Sequence, residues 1–154
     1  MSEHSHLKRL KFVWSGNPVY FITTCTAGRR AILVHPEVCR ILREEWQGLY
    51  QRHGWAVGRF VVMPDHVHFF VSPVVGHETT LALAIGKWKE WTAKRLISEC
   101  QFSGPIWQPG FFDHLLRGTE SRSQKWEYVW QNPVRAGLVA RAEEWPHAGM
   151  VNFD

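Results

Sequence analysis

Short runs of apolar residues divide the first half of the chain into predicted strands and one helix. Val19–Cys25 is rich in β-branched and aromatic residues, which is typical of a strand. Apolar residues then recur at helical spacing from Pro36, a residue that the first helical turn tolerates, until Gly54 can end the helix. The apolar runs 55–63 and 66–71 flank Pro64-Asp65, and they predict an antiparallel pair joined by a tight turn.

The second half of the chain predicts two further helices and one strand. A helix is expected at about residues 79–100, ended by Gly104-Pro105, and a last helix at about residues 120–131. The apolar pairs in residues 106–112 suggest a strand between them, broken by Pro109-Gly110. The tail near Trp145 lacks a pattern. The order is β-α-β-β-α-β plus a C-terminal helix, the split βαβ arrangement. We therefore predict an α+β fold with an antiparallel sheet, helices on one face, and a further C-terminal helix.

Composition restricts the class of protein without choosing its function. The 154 residues fit one domain, predicted over 1–154 with residues 1–10 as a flexible N-terminus, and 45% hydrophobic content excludes a disordered chain. The three cysteines form no Cys-x-x-Cys, so we expect neither a disulfide framework nor a thiolate zinc site. No apolar run approaches the length needed to span a membrane. We expect a cytoplasmic protein with no membrane partner, and its net charge of +4 is compatible with nucleic acid.

The first candidate for chemistry is His66-Val67-His68, at the start of a predicted strand. Residues i and i+2 of a strand project from the same face, so both imidazoles point the same way. Two such imidazoles make half of a site for a divalent metal ion. For an isolated His-x-His, burial in the core or simple solvation is the commoner interpretation, but a rigid strand favours the metal site.

The second candidate is Tyr128 with Asn132, four residues apart on the last predicted helix. Side chains at i and i+4 share a helix face, so a phenol and an amide would lie together. Asn132 before Pro133 is also an ordinary residue for ending a helix. Only in combination with the two histidines does the pair suggest a third metal ligand beside a nucleophile.

Four blocks in order along the chain resemble the single-tyrosine HUH transposases, and in particular the REP-associated tyrosine transposases. They are Met63-Pro-Asp-His-Val-His68, Trp88-Lys-Glu-Trp-Thr-Ala-Lys-Arg95, Trp107-Gln-Pro-Gly-Phe-Phe-Asp-His-Leu-Leu-Arg117 and Tyr128-Val-Trp-Gln-Asn-Pro-Val-Arg-Ala-Gly-Leu-Val139. The resemblance extends from the first strand to about Trp145. Asp65 departs from it, because the family more often has Asn before the first histidine.

The resemblance implies a role for each matching residue. His66 and His68 match the histidines that hold a divalent cation, Tyr128 matches the nucleophile, and Asn132 matches the polar residue that completes the cation site. The implied fold is ferredoxin-like or RRM-like, in agreement with the element order. The implied reaction is metal-dependent nicking and joining of single-stranded DNA through a covalent 5′-phosphotyrosine. Imidazole and amide ligands suit Mg²⁺ or Mn²⁺.

The implied partner is single-stranded or hairpin DNA at REP-like sites, in a nucleoid-associated protein. Interleaved cations and aromatic rings suit phosphate contacts and base stacking, whereas Trp88 is interpreted as core. The candidate DNA contacts are Arg29, Arg30, Lys87, Lys89, Trp91, Lys94, Arg95, Arg117 and Arg122. The resemblance leaves a monomer and a homodimer open.

Two alternatives remain at this point. A noncatalytic RRM-like module would bind single-stranded nucleic acid and would carry aromatic residues on its central strands, where this chain has histidines. A metal-dependent hydrolase would cut DNA with no covalent step, and trapping of DNA on the protein would separate it from a transposase.

Overall fold

The computed structural model describes residues 18–74, 76 and 78–154. The predicted flexible N-terminus, residues 1–10, lies outside these described residues. The elements in chain order are β1 Val19–Cys25, α1 Pro36–His53, β2 Trp55–Met63, β3 His66–Pro73, α2 Leu81–Cys100, β4 Phe112–Leu116, α3 Thr119–Trp130, α4 Asn132–Arg135 and β5 Ala148–Met150.

The strands form one antiparallel sheet in the order β4-β1-β3-β2-β5. Strands β4, β1, β3 and β2 have the order and connectivity of the ferredoxin-like split βαβ arrangement, which confirms the predicted α+β class. Strand β5 comes from the tail that was expected to be irregular. Three residues are too few to show a strand period, and β5 exists because β2 offers it an edge to pair with.

Helices α1 and α2 pack on one face of the sheet and form the larger core with it. Trp46 of α1 and Trp88 of α2 stack with ring centroids 5.2 Å apart, and Phe69 of β3 lies against both rings. All three side chains are almost completely buried. Trp88 is therefore core, as predicted.

Helix α3 packs on the opposite face of the sheet, where a smaller apolar cluster forms. Its Val129 and Trp126 lie against Val19, Phe21 and Phe70. Because side chains alternate along a strand, the residues two before and four before Phe70 on β3 point to this same face. These residues are His68 and His66, so the sheet presents the histidine pair on the face that carries α3.

The ends of α1 and α2 follow the local backbone chemistry. Helix α1 begins after His35, which accepts a hydrogen bond from the Glu37 amide, and ends at Gly54 with a φ of 70°. Helix α2 ends at Gln101 in the left-handed region (φ 59°), three residues before the predicted stop at Gly104. The predicted end at about residue 100 is confirmed, but Gln101 and not Gly104-Pro105 ends the helix, because the chain turns there first.

The last predicted helix, at about residues 120–131, is confirmed as α3, and a separate short helix follows it. Pro133 has no N–H to donate to the carbonyl of Val129, so α3 ends at Trp130 and Asn132 begins the short α4. Tyr128 and Asn132 are thus not stacked on one continuous helix, contrary to the sequence-based expectation.

The strand expected in residues 106–112 is also displaced. Trp107 makes only an isolated bridge with Thr26, and the ladder with β1 begins at Phe112. Pro109-Gly110 separates the two pairings. Within the described part of the chain, no helix combines the length and apolar character needed to cross a membrane.

Candidate active site

His66 and His68 stand side by side at the start of β3, as the strand period predicts. Their ring centroids are 4.8 Å apart, with the ring planes at 77°. Both residues are half-buried, so part of each ring faces solvent. The backbone beneath them is held on both sides, because β1 and β2 pair with β3 at both positions.

Each imidazole is oriented by a hydrogen bond at Nδ1. Asp65 Oδ1 lies 2.8 Å from Nδ1 of His66, and the hydroxyl of Thr23 lies 2.8 Å from Nδ1 of His68. An ionised carboxylate only accepts hydrogen bonds, so Nδ1 of neutral His66 carries the proton and Nε2 carries the lone pair. For both rings Nε2 is the nitrogen left for a ligand, an arrangement common around metal-bound histidines.

Burial and neighbouring polar groups shift the pKa values of Asp65 and His68. Burial of the carboxyl alone would raise the pKa of Asp65, but hydrogen bonds from Arg29 and His66 outweigh it and the pKa falls below its usual value. Arg29 Nε lies 2.9 Å from Asp65 Oδ2. Burial, and after it the neighbouring His66, Lys125 and Arg135, lowers the pKa of His68 to about 3. His68 is therefore neutral near pH 7, as a metal ligand must be.

Tyr128 lies on the solvent side of α3, with 64% of its surface exposed. The guanidinium carbon of Arg135 lies 3.8 Å from the centroid of the phenol ring. Arg135 also donates to the Tyr128 carbonyl oxygen and to Oδ1 of Asn132. One cation from α4 thus connects the two functional candidates that the helix break had separated.

The residues present fit a divalent cation in part. Two imidazoles with available Nε2 atoms suit a transition-metal ion, and also Mg²⁺ with water ligands. Asn132 Oδ1 accepts from Arg135, so it becomes a ligand only if that hydrogen bond is exchanged. Among residues 18–74, 76 and 78–154, no three His, Cys, Asp or Glu side chains come together as a metal-binding group. A two-imidazole site with open positions is what the donor set supports.

Helix α3 is connected to the histidines through an aromatic contact. Phe21 stacks on His68 with centroids 5.2 Å apart, and Lys125 Nζ lies 5.0 Å from the centroid of the same phenyl ring. Lys125 precedes Tyr128 by three residues and so lies on a neighbouring part of the helix surface. The positive charges of Lys125 and Arg135 thus border the histidine pair.

Comparison with known proteins identifies the family of this chain. The family model described as "Transposase IS200 like" matches residues 15–132, which is more than half of the chain. The chain belongs to the IS200-like transposase family. A REP-associated tyrosine transposase of Escherichia coli K12 is 26% identical over 127 residues, which cover 82% of this transposase and 73% of the relative.

Two solved structures share the fold of this transposase. One is a REP-associated tyrosine transposase bound to a REP hairpin, with a TM-score of 0.67 and 23% identity, covering 85% of this chain and 75% of that one. A protein of Deinococcus radiodurans R1 has a TM-score of 0.55 and 22% identity, covering 73% of this chain and 88% of the other.

The candidate DNA contacts on α2 lie on the face of the sheet opposite to the histidines. Arg95 is largely covered and pairs with Glu44, Glu45 and Glu99. The pairs with Glu44 and Glu45 join α2 to α1, whereas the pair with Glu99 lies within α2. These contacts favour a structural role for Arg95. The neighbouring cations Lys87 and Lys94 pair with Glu90, and Lys94 also lies over the half-exposed Trp91 ring.

The remaining candidate DNA contacts are Lys89 of α2 and residues in loops and at the start of α3. Arg30 donates to the carbonyls of Ser103 and Pro105, and Lys89 donates to the carbonyls of Gln108 and Gly110. Arg117 is exposed after β4, and Arg122 donates to the Gly118 carbonyl in the first turn of α3. Among these candidates, Arg29 pairs with Asp65, the residue next to His66.

Three residues of the site were missed by reasoning from the sequence. Thr23 had no local signal, because only the pairing of β1 with β3 places it opposite His68. Lys125 had a local signal in the sequence, since its spacing of three from Tyr128 predicts a shared helix surface. Arg135 lies inside the block quoted above, yet its contact with Tyr128 depends on the turn at Pro133.

Proposed function

We propose that this transposase nicks and joins single-stranded DNA through a covalent bond between Tyr128 and a 5′ phosphate, with Mg²⁺ or Mn²⁺ held by His66 and His68. The observation that carries the proposal is the pair of imidazoles whose Nδ1 atoms are both bonded and whose Nε2 atoms remain for a ligand. Asn132 is the third ligand in this proposal once Arg135 turns to the DNA. A bound cation would neutralise charge on the scissile phosphate and orient it for attack.

The protein's own residues supply the nucleophile and further positive charge. A free phenol has a pKa of about 10 and is a poor nucleophile at neutral pH, so it needs an electrophile that is already activated and aligned. The oxygen of Tyr128 attacks phosphorus, the bond to the 3′ oxygen breaks, and the proton lost by the phenol is balanced by the one that the 3′ hydroxyl gains. Arg135 and Lys125 lie where they can contact the phosphate.

The covalent step explains joining without a separate energy source. The phosphotyrosine keeps the energy of the phosphodiester, so a free 3′ hydroxyl can reverse the reaction or attack from a second strand. A hydrolase with no covalent step would lose this energy to water. The exposed phenol of Tyr128 beside a bonded cation favours the transposase over that alternative and over a noncatalytic RRM-like module.

Hairpin DNA is the proposed substrate. The relative of known structure was solved with a REP hairpin, and the E. coli relative is named for REP elements. Both resemble this chain over more than four-fifths of its length. The proposed target is therefore a hairpin with a single-stranded flank, and the net charge of +4 is compatible with it.

Covalent trapping tests the proposal. Wild-type protein is incubated with Mn²⁺ and hairpin oligonucleotides labelled separately on each side of the nick, and adducts are resolved under denaturing conditions. We expect only the 3′-side fragment, which carries the 5′ phosphate, to migrate with the protein. Tyr128→Phe removes one oxygen and retains the ring, so it should bind the DNA and form no adduct.

One control variant and two contradicting outcomes make the result decisive. Tyr50→Phe removes a phenol oxygen from α1 and should leave the adduct unchanged. Undiminished adduct in Tyr128→Phe would reject this nucleophile, and label from the 5′-side fragment would indicate a 3′-phosphotyrosine enzyme instead.

A further inference from the structure

The edge strand β4 presents a phenyl ring to solvent beside the histidine pair. Phe112 is 72% exposed, more than any other large apolar side chain in the described part of the chain. Most of this phenyl ring is therefore not covered by the residues that the structure describes.

The strand register places this ring in one row with the candidate active site. Phe112 pairs with Thr23, Thr23 pairs with His68, and cross-strand partners share a face. The hydrogen bond between Thr23 and His68 confirms that these two side chains point the same way. Two strand spacings separate Phe112 from His68, about 10 Å between Cα atoms. That distance corresponds to roughly three nucleotides of a stacked strand.

The backbone that carries the ring is held firmly. Lys89 of α2 donates to the carbonyls of Gln108 and Gly110, directly before the strand. Phe111 packs against the larger core on the other face, and β4 is paired with β1 from Phe112 onward. The ring is therefore presented from a rigid support, and Lys89 acts by positioning this loop.

The charged side chains on the sheet face that carries Phe112 suit an anionic polymer. Asp113 is exposed, but strand alternation turns it to the opposite face of the sheet. On the face of Phe112 lie His114 and His68 of the sheet, and Lys125 and Arg135 border the latter. A base can stack on a phenyl ring while its phosphates lie near these cations, because every base has an aromatic face.

We propose that Phe112 is a stacking platform for an unpaired base flanking the scissile phosphate. This inference rests on the proposed function, since it assumes that the phosphate lies at His66 and His68. The platform would order the single strand as it leaves the hairpin and would align the scissile bond with Tyr128. The recognised feature is an exposed base face, so purines and pyrimidines are both accepted.

The test uses the full-length Tyr128→Phe protein, which keeps the DNA uncut. Hairpin oligonucleotides with single-stranded extensions carry 2-aminopurine at successive flanking positions, and fluorescence and affinity are measured together. We expect quenching at one or two adjacent positions, lost in Phe112→Ala with a roughly 5- to 150-fold weaker Kd. Phe112→Tyr should retain both, whereas Phe112→Leu, apolar but without a ring, should lose the quenching. Leu83→Ala, at another exposed apolar site on α2, should change neither.

The possible outcomes separate this inference from the proposed function. Unchanged affinity and quenching in Phe112→Ala, with adduct formation intact in wild type, would overturn the platform alone. Quenching that depends on Phe112, together with absence of the adduct in wild type, would support the platform and reject the chemistry of Tyr128. If sedimentation shows a dimer that Phe112→Ala dissociates while DNA quenching persists, the ring belongs to an interface between two copies and the platform is rejected.

Discussion

Each histidine of the pair has a different partner at Nδ1, and this difference matters for how the two rings behave. His66 is held by a carboxylate and His68 by a hydroxyl. The carboxylate of Asp65 is itself paired with Arg29, so its charge is partly neutralised. Such outer contacts set the orientation of metal-binding imidazoles and the basicity of their free nitrogen.

Metal binding is expected to depend on both rings. In the double variant His66→Ala/His68→Ala, calorimetry with Mn²⁺ should show loss of the binding isotherm, because both nitrogen ligands are gone. His53→Ala, at the end of α1 on the other face of the sheet, is the matched control and should bind Mn²⁺ as wild type does. Equal Mn²⁺ binding in the double variant would mean that the metal lies elsewhere.

The free energy of unfolding should decrease as the pH falls, because of His68. Its pKa is about 3 in the folded protein against an ordinary value of 6.5, so between these values the unfolded chain binds a proton that the folded protein does not. The free energy of unfolding therefore decreases as pH falls below about 6.5, by less than the limit of ~1.4 kcal/mol per pH unit, because the ring is only half-buried.

Urea unfolding of wild type and His68→Gln checks this sign. Glutamine retains a polar group near Thr23 and does not titrate. Between about pH 7.5 and about pH 5, wild type should lose more stability than the variant, while Asp65 stays ionised in both. Equal losses would show that His68 is protonated without cost in the folded state.

At the scale of single elements, the sheet contains a close approach that a sequence pattern does not reveal. Strand β2 has an irregularity in its pairing with β3 between Val57 and Phe60, and Gly58 lies within it. A Cβ built on Gly58 would lie 2.3 Å from the ring of Phe153, which is itself buried. The glycine is therefore required by packing of the C-terminal tail across β2.

Two glycine substitutions should consequently have opposite effects. Gly58→Ala should destabilise the protein by about 1–3 kcal/mol, because the Phe153 ring must move in a packed core. Gly86→Ala, on the exposed side of α2 with no atom within 4 Å of the added Cβ, should stabilise it by up to ~1 kcal/mol. Thermal or urea unfolding of both variants measures the difference, and a neutral Gly58→Ala would show that the tail is loosely packed.

At the scale of the whole molecule, the sheet separates two positively charged regions. One comprises the cations of α2, several of which are paired with carboxylates, and the other comprises Lys125 and Arg135 near the histidines. If the proposed function is right, a DNA strand that reaches Tyr128 would run along the second region. The cations of α2 would then contribute little to DNA binding, in contrast to the expectation from their clustering along the sequence.

The salt dependence of DNA binding distinguishes a DNA path along Lys125 and Arg135 from one across α2. Each lost phosphate contact lowers the slope of log K against log salt by about 0.7 for a single strand. Lys125→Gln should lower the slope by about this amount and weaken binding, whereas Lys94→Gln should change neither. A slope that falls only in Lys94→Gln would place the DNA across α2.

Patterns among neighbouring residues of the sequence predicted much of the architecture. The period of two fixes the common face of His66 and His68, and helical spacing identified the buried side of α1 and of most of α2, because both patterns depend only on neighbouring residues. Strand β1 has the predicted bounds for the same reason. The ordered motif blocks were enough to indicate the transposase family before any contact was known.

Long-range packing decided the rest of the candidate site. Thr23 reaches His68 across a register between residues 45 positions apart, and Arg95 is occupied by carboxylates of another helix. The exposed ring of Phe112 lies near the histidines only because β4 joins β1 at the sheet edge. Pairing between distant segments is settled by the burial of whole faces and not by local preference, so contacts of this kind are visible only in the tertiary structure.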